Sequence, residues 1–252
     1  MPFTGTDKSM IILSIGMPRA GSGWLFNLTN DLLVASGFQD ARYIRKQYHL
    51  QRVLTEVNCN IGAFTLPRLT AVMVPSLLGN TFTVKAHAGT TNTALSMIRR
   101  GMLLPTYIYR DPRDAMLSAL EYGQRGLEQG RANAFSHLSD FDEALNFMLG
   151  YVRIWESWMD CQEAFHCRYE DLLINYDFEV DRLLKFLKLD ATDISIRDVV
   201  NNYCPEKAST SQKGLHFSQG KISRYLKKTT SEQQEIMSTV FGPYLARMGY
   251  QE

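Results

Sequence analysis

The first firm pattern along the chain is a continuous apolar run, Met10–Gly16 (MIILSIG). It has strand length and no alternation, which predicts a strand buried on both faces. Turn residues Pro18 and Gly21 follow, and then Trp24, Leu25, Leu28, Leu32 and Leu33 recur at helical spacing as far as Val34. Strand, glycine turn and helix open a βα unit. Two β-branched and aromatic runs, Thr81–Ala86 (TFTVKA) and Leu104–Arg110 (LPTYIYR), predict further strands. Pro112 stands where a helix can start, with Arg113–Tyr122 behind it. A long amphipathic helix is predicted over Phe141–Glu163, a short strand over Phe165–Tyr169 and a helix over Asp177–Leu187. The last helix, Ser231–Met248, has caps in Thr229, Thr230 and Ser231 and a stop in Gly249.

Strands alternating with helices predict a three-layer α/β/α fold around a central parallel sheet. Ligands of such sheets bind at the carboxyl ends of the strands. No repeat, low-complexity tract or linker divides the 252 residues, so one domain over residues 1–252 is expected.

Composition narrows the class. Hydrophobic residues at 45% and charged residues at 21% exclude a disordered or fibrous chain. Lys+Arg at 27 against Asp+Glu at 26 argues against a protein that coats nucleic acid, yet leaves room for a small anion held by a few local cations. Cys59, Cys161, Cys167 and Cys204 include no CxxC pair, so free thiols in a reducing compartment are expected, and no metal site. The run from Met10 is far shorter than the roughly 20 residues of a membrane span, so a soluble, cytoplasmic protein is expected.

Three segments at predicted strand ends carry chemistry. Gly16-Met-Pro-Arg-Ala-Gly21-Ser22-Gly23 has the glycine spacing of a phosphate-binding P-loop between strand and helix. There, converging backbone N–H groups and a helix N-terminus favour an anion. Serine stands where the triphosphate-reaching lysine would be, glycine where the Mg²⁺-holding hydroxyl would be, and the cation has moved to Arg19. Val84-Lys85-Ala86-His87 places Lys85 and His87 on one side of a strand end, a base beside a charge-neutralising ammonium. Arg110-Asp-Pro-Arg113-Asp-Ala-Met-Leu-Ser118 supplies an arginine fork and a hydroxyl suited to a terminal phosphate. Taken singly, each has a plainer reading: an empty turn, a surface pair, or Arg110 paired locally with Asp111 or Asp114.

Jointly the segments resemble the sulfotransferase family that uses 3′-phosphoadenosine 5′-phosphosulfate (PAPS). Pro18-Arg19-Ala20-Gly21-Ser22-Gly23-Trp24 is similar to its 5′-phosphosulfate loop, and Lys85-Ala86-His87 to its K-x-H segment. Arg110-Asp111-Pro112-Arg113-Asp114 with Ser118 is similar to its 3′-phosphate segment. Tyr169-Glu170-Asp171-Leu172 and the ending Met248-Gly249-Tyr250 match later motifs. The resemblance implies that His87 takes a proton from an acceptor hydroxyl or amine, with Lys85 and Arg19 steadying the moving sulfuryl group. It implies that Gly21–Trp24 and the Ser22 hydroxyl hold the 5′-phosphate, Arg110 and Ser118 the 3′-phosphate, and that Trp24 and Tyr169 lie near adenine. No metal is implied. The C-terminal phosphate clamp of the family is met only in part, by Lys221 and Arg224 or by Lys213.

This chain departs from the family where Arg19 replaces a common lysine and where Ala20 and Gly23 lack hydroxyls. Residues 38–80 and 121–140, between the motifs, are expected to form the acceptor pocket and its lid. Within the first, the apolar stretch Ile61–Leu78 suits a hydrophobic small-molecule acceptor, an internal core or a homodimer contact equally. Trp155 and Trp158 are expected in the core. A P-loop kinase is disfavoured by Ser22 and Gly23, and a non-catalytic nucleotide-binding protein on the same fold stays open.

Overall fold

The computed structural model describes residues 9–206 and 222–251. Four strands, β1 (Ile11–Gly16), β2 (Phe82–Ala86), β3 (Leu103–Tyr109) and β4 (Phe165–Arg168), form one sheet in the order β2-β1-β3-β4. Every pairing is parallel, with Ile11 opposite both Phe82 and Leu103, and Thr106 opposite Phe165. The apolar run that predicted a doubly buried strand is the central β1, buried at all six positions. A parallel edge is exposed only on its outer side, and at β2 that side is met by the segment Cys59–Ile61. Lys85 N–H donates to Cys59 O at 3.2 Å, and Ile61 N–H donates to Lys85 O at 2.9 Å.

Helices cover both faces. One core gathers Ile12 and Ile108 of the sheet with Leu25 and Leu28 of α1 (Ser22–Ala35), Leu172 of α7 (Tyr169–Ile174), Leu183 of α8 (Tyr176–Phe186) and Ile196 of α9 (Ile194–Tyr203). The other joins Ile11, Leu13 and Ile15 to Val72 of α3 (Leu66–Leu77) and Met116 of α5 (Pro112–Glu128). It also takes in Trp155 and Trp158 of α6 (Phe141–Met159) and Phe241 of α11 (Ser231–Met248). Neighbouring strands β1 and β3 therefore send their following helices, α1 and α5, to opposite faces. That divergence opens a crevice at their carboxyl ends, the switch point where α/β sheets bind ligands.

The long periodic elements agree with the pattern of the chain. α11 has the expected bounds, with a capping box between Thr230 and Gln233 and Gly249 left-handed at its end. α6 stops at Met159 rather than Glu163, and Tyr169 opens α7 rather than ending β4. Four short helices among the described residues have no counterpart in the pattern: α2 (Ala41–Gln47), α4 (Asn92–Arg99), α7 and α10 (Tyr225–Lys228). α3 and α9 are likewise absent from it. A helix of two or three turns shows few apolar repeats, so caps such as Asp40 and Thr91 and the sheet beneath decide it. The stretch Ile61–Leu78 is divided: Ile61, Phe64, Leu69, Val72 and Met73 enter the core, while Leu66, Val74, Leu77 and Leu78 face outward. Trp155 and Trp158 are core residues, and all four cysteines are free. Among the described residues no helix is long and apolar enough to cross a membrane.

Candidate active site

Each of the four strands delivers one functional side chain at its carboxyl end. β1 runs into the loop of Arg19, β2 into His87, β3 into Arg110, and β4 into Tyr169. The loop after β1 fits only because Gly16 lacks a side chain. A Cβ there would stand 2.6 Å from Ile108 Cγ2 and 3.0 Å from Ser22 Cβ, so any side chain there would force β3 or the start of α1 to shift. The loop then turns through two left-handed residues, Arg19 (φ 63°) and Gly21 (φ 78°). This curl leads into the first N–H groups of α1. Gly21, Ser22 and Gly23 have no backbone acceptor for theirs among the described residues, as expected of a helix start.

Hydrogen bonds tie the strand ends together. His87 Nδ1 lies 2.5 Å from Gly16 O. A carbonyl oxygen only accepts, so Nδ1 carries the proton and Nε2 keeps its lone pair. Arg110 Nη1 donates to Arg19 O at 3.5 Å, and Arg19 Nε donates to Ser118 Oγ at 3.1 Å. The three segments that seemed separate along the chain are thus one hydrogen-bonded constellation.

Its electrostatics favour an anion. Lys85 is 6% exposed. Burial, then the charge of Arg19, pushes its pKa down to about 8. Arg19 is pushed down to about 10, chiefly by burial, with Arg110 and Arg125 adding repulsion. Neither has a carboxylate within ion-pair distance among the described residues, whereas Arg110 is balanced by Asp114 at 3.1 Å. His87 is lowered to about 3, by burial first and Lys85 second, against the opposing effect of its bond to Gly16. It is therefore a neutral imidazole across the working pH range. Two desolvated cations with no carboxylate at ion-pair distance among the described residues, beside a helix start, form an arrangement that favours an anion.

The remaining expected residues fall as follows. Ala20 and Ser22 are buried in the loop and Gly23 is partly exposed. Ser118, two turns along α5, is buried and receives Arg19. Arg110 lies with its guanidinium 4.7 Å over the Tyr169 ring. Its pairing with Asp114 is the local contact expected of the plainer reading, and it leaves the fork beside the loop. The second arginine, Arg113, is structural: it pairs with Asp111 at 2.9 Å and donates to Gln251 O at 2.8 Å.

Trp24 turns inward. It is 3% exposed, stacked on Tyr176 at 5.9 Å, and its Nε1 donates to Tyr203 O at 3.2 Å. In this structure its ring belongs to the core, so an adenine-stacking role would need that ring to turn out. Arg224 is drawn to Glu121 of α5 by a double contact at 2.6 and 2.8 Å, one helical turn past Ser118. Lys213 and Lys221 lie outside the described residues.

Several participants were not anticipated. Tyr122 covers the Arg19 guanidinium at 4.4 Å from its ring centroid, and Phe135 does so at 5.9 Å. Tyr122 follows Ser118 by one turn on the same helix, a spacing that could have pointed to it. Phe135 comes from a distant loop and carries no such signal. Glu170, matched along the chain only as part of a motif, here gains a contact. Tyr250 donates its hydroxyl to Glu170 Oε2 at 2.6 Å, and Glu170 Oε1 stands 4.0 Å from Arg110 Nε. The C-terminal Gly-Tyr therefore braces the Arg110 segment from behind.

Fold and site together define a P-loop-like α/β protein with an anion-receiving crevice at its switch point. Residues 9–249 match the sulfotransferase domain family, and the chain belongs to that family. Among solved structures, mouse sulfotransferase SULT7A1 complexed with PAP is similar at a TM-score of 0.61 and 14% identity, covering 96% of this chain and 86% of the other. Retinol dehydratase in complex with androsterone and inactive cofactor PAP is similar at 0.58 and 14%, covering 97% and 82%. Sulfotransferase STF9 from Mycobacterium avium is similar at 0.51 and 13%, covering 97% and 78%. These likenesses are of fold. No curated protein sequence matches the chain.

Proposed function

We propose that this protein transfers a sulfuryl group from PAPS to a hydroxyl or amine of a small, hydrophobic acceptor. The observation that carries the reading is His87. Its proton is committed to Gly16 O, its Nε2 has no hydrogen-bond partner among the described residues, and the desolvated Lys85 stands beside it. Sulfuryl transfer needs in-line positioning and fixed positive charge more than a metal, because the moving group carries less charge than a phosphoryl group.

In this reading Nε2 of His87 accepts the acceptor's proton. Lys85 and Arg19 neutralise charge on the departing phosphate side; arginine stays protonated and supplies charge only. The N–H groups of Gly21, Ser22, Gly23 and Trp24, with the Ser22 hydroxyl, hold the 5′-phosphate. Arg110 and Ser118 take the 3′-phosphate, with Arg224 and Lys221 as further cations there. Tyr169, against Gly21 and under Arg110, supports the nucleotide side. The PAP-bound complexes of similar fold support the choice of donor. Segments 38–80 and 121–140 line the acceptor side, and free cysteines fit a cytoplasmic setting.

Replacing His87 by Gln tests the assignment. Transfer from PAPS falls by about 10²–10⁴-fold, as for loss of a positioned base, while stabilisation by adenosine 3′,5′-bisphosphate persists. Wild-type turnover in His87→Gln would exclude His87 as the base.

A further inference from the structure

Two glycines inside α5, Gly123 and Gly126, face the loop that follows the helix. Glycine is among the poorest residues for a helix interior, so its presence twice within one turn calls for a packing reason. The structure supplies one. A Cβ on Gly123 would overlap the Phe135 carbonyl, with Phe135 C only 2.7 Å away. A Cβ on Gly126 would overlap Asn133 Nδ2 and come within 2.8 Å of Arg131 O. The loop is latched into this notch. Arg131 N–H donates to Gly126 O at 2.8 Å, Asn133 Nδ2 to Tyr122 O at 2.9 Å and Ser136 Oγ to Gly123 O at 3.3 Å.

Seating the loop places Phe135 against Tyr122 at 5.8 Å and over the Arg19 guanidinium. From Phe135 a run of rings continues through Phe147 at 5.8 Å and Tyr151 at 5.0 Å to His87 at 6.4 Å. The loop therefore closes one aromatic wall from the cation to the base.

We propose that Gly123 and Gly126 are positioning residues that seat residues 131–136 as a cover over Arg19, keeping water from the sulfuryl group. The inference rests on the proposed sulfuryl transfer. The reaction it guards against is balanced: water attacks sulfur, the sulfur–oxygen bond to the phosphate breaks, the bridging oxygen stays on the phosphate, and sulfate, two protons and adenosine 3′,5′-bisphosphate leave. A covered site suppresses that leak and spares the donor for the acceptor.

The test uses the full chain and needs no acceptor. Gly126→Ala and Asn133→Ala are compared with wild type for trypsin cleavage after Arg131 and for sulfate release from PAPS without acceptor. Both variants are expected to cleave there at least threefold faster, with other sites unchanged, and to release sulfate at least threefold faster. Phe135→Ala, which keeps the latch but removes the cover, is expected to raise sulfate release while leaving cleavage unaltered.

Wild-type cleavage rates in both latch variants would overturn the seat. Faster cleavage without faster sulfate release would overturn the shielding role. Binding of adenosine 3′,5′-bisphosphate by wild type is measured alongside. Its absence would strike the proposed function itself, while the cleavage arm still decides the seat.

Discussion

Lys85 shows how burial and a neighbouring cation set one residue's charge. An ordinary lysine stays protonated to about 10.4, whereas burial and Arg19 bring this one to about 8. Between those values the unfolded chain binds a proton that the folded one has lost, so this group makes the ligand-free protein more stable as pH rises from 8 toward 10. Anion binding has the opposite sign. Phosphates beside Lys85 would restore its charge, so adenosine 3′,5′-bisphosphate is expected to bind with proton uptake near pH 8. Its affinity falls by up to about tenfold per pH unit above that value, the limit for one coupled proton. Calorimetry in buffers of different ionisation enthalpy, from pH 7 to 9.5, measures both effects. Lys85→Met is expected to bind more weakly and to lose the slope; a slope that persists would assign it to another group. His87 contributes no acid limb in this range, because its lowered value leaves it neutral throughout.

At the scale of elements, α5 organises the site. Its first turn, capped by Asp111, carries Asp114, its second carries Ser118, and its later turns hold Tyr122 and the glycine notch. Asp114 is the pivot: Oδ2 takes Arg110 and Oδ1 takes the backbone N–H of Tyr225 at 3.0 Å, joining β3, α5 and α10. Asp114→Ala would leave a buried guanidinium short of its carboxylate and a buried N–H unsatisfied. A loss of about 3–5 kcal/mol is expected, the range for breaking a buried pair by removing one partner. Urea unfolding checks it, and a loss below about 1 kcal/mol would show that Glu170 carries the pair instead.

Over the whole molecule, formal charge is nearly balanced, yet Arg19, Lys85 and Arg110 converge at one edge of the sheet. A ligand that supplies negative charge there stabilises the fold. Adenosine 3′,5′-bisphosphate at a hundredfold excess over its dissociation constant is expected to add about 2.7 kcal/mol. AMP, lacking the 3′-phosphate, is expected to add less, because Arg110 and Ser118 then gain no phosphate contact. Thermal unfolding with each nucleotide decides this, and an equal response would count against the 3′-phosphate assignment.

Much of this was legible along the chain, because strong local rules were obeyed. The unbroken apolar run of β1 read as a strand buried on both faces, and it is the central strand. The glycines after it could only be a tight turn into a helix, and the Thr230–Gly249 caps bounded α11 at both ends. The candidate residues Arg19, Lys85, His87, Arg110 and Ser118 could be named for the same reason: each sits within a few residues of a strand end. What needed tertiary structure is whatever depends on distance across the fold. The inward turn of Trp24 follows from Tyr176 and Tyr203, more than 150 positions away. The tautomer of His87 follows from a carbonyl on another strand, the pairing of Arg224 from Glu121 of α5, and the cover on Arg19 from Phe135. Local propensity is written into neighbouring residues; burial, charge compensation and ring packing arise only when distant segments share one low-dielectric space, and there the tertiary structure alone decided.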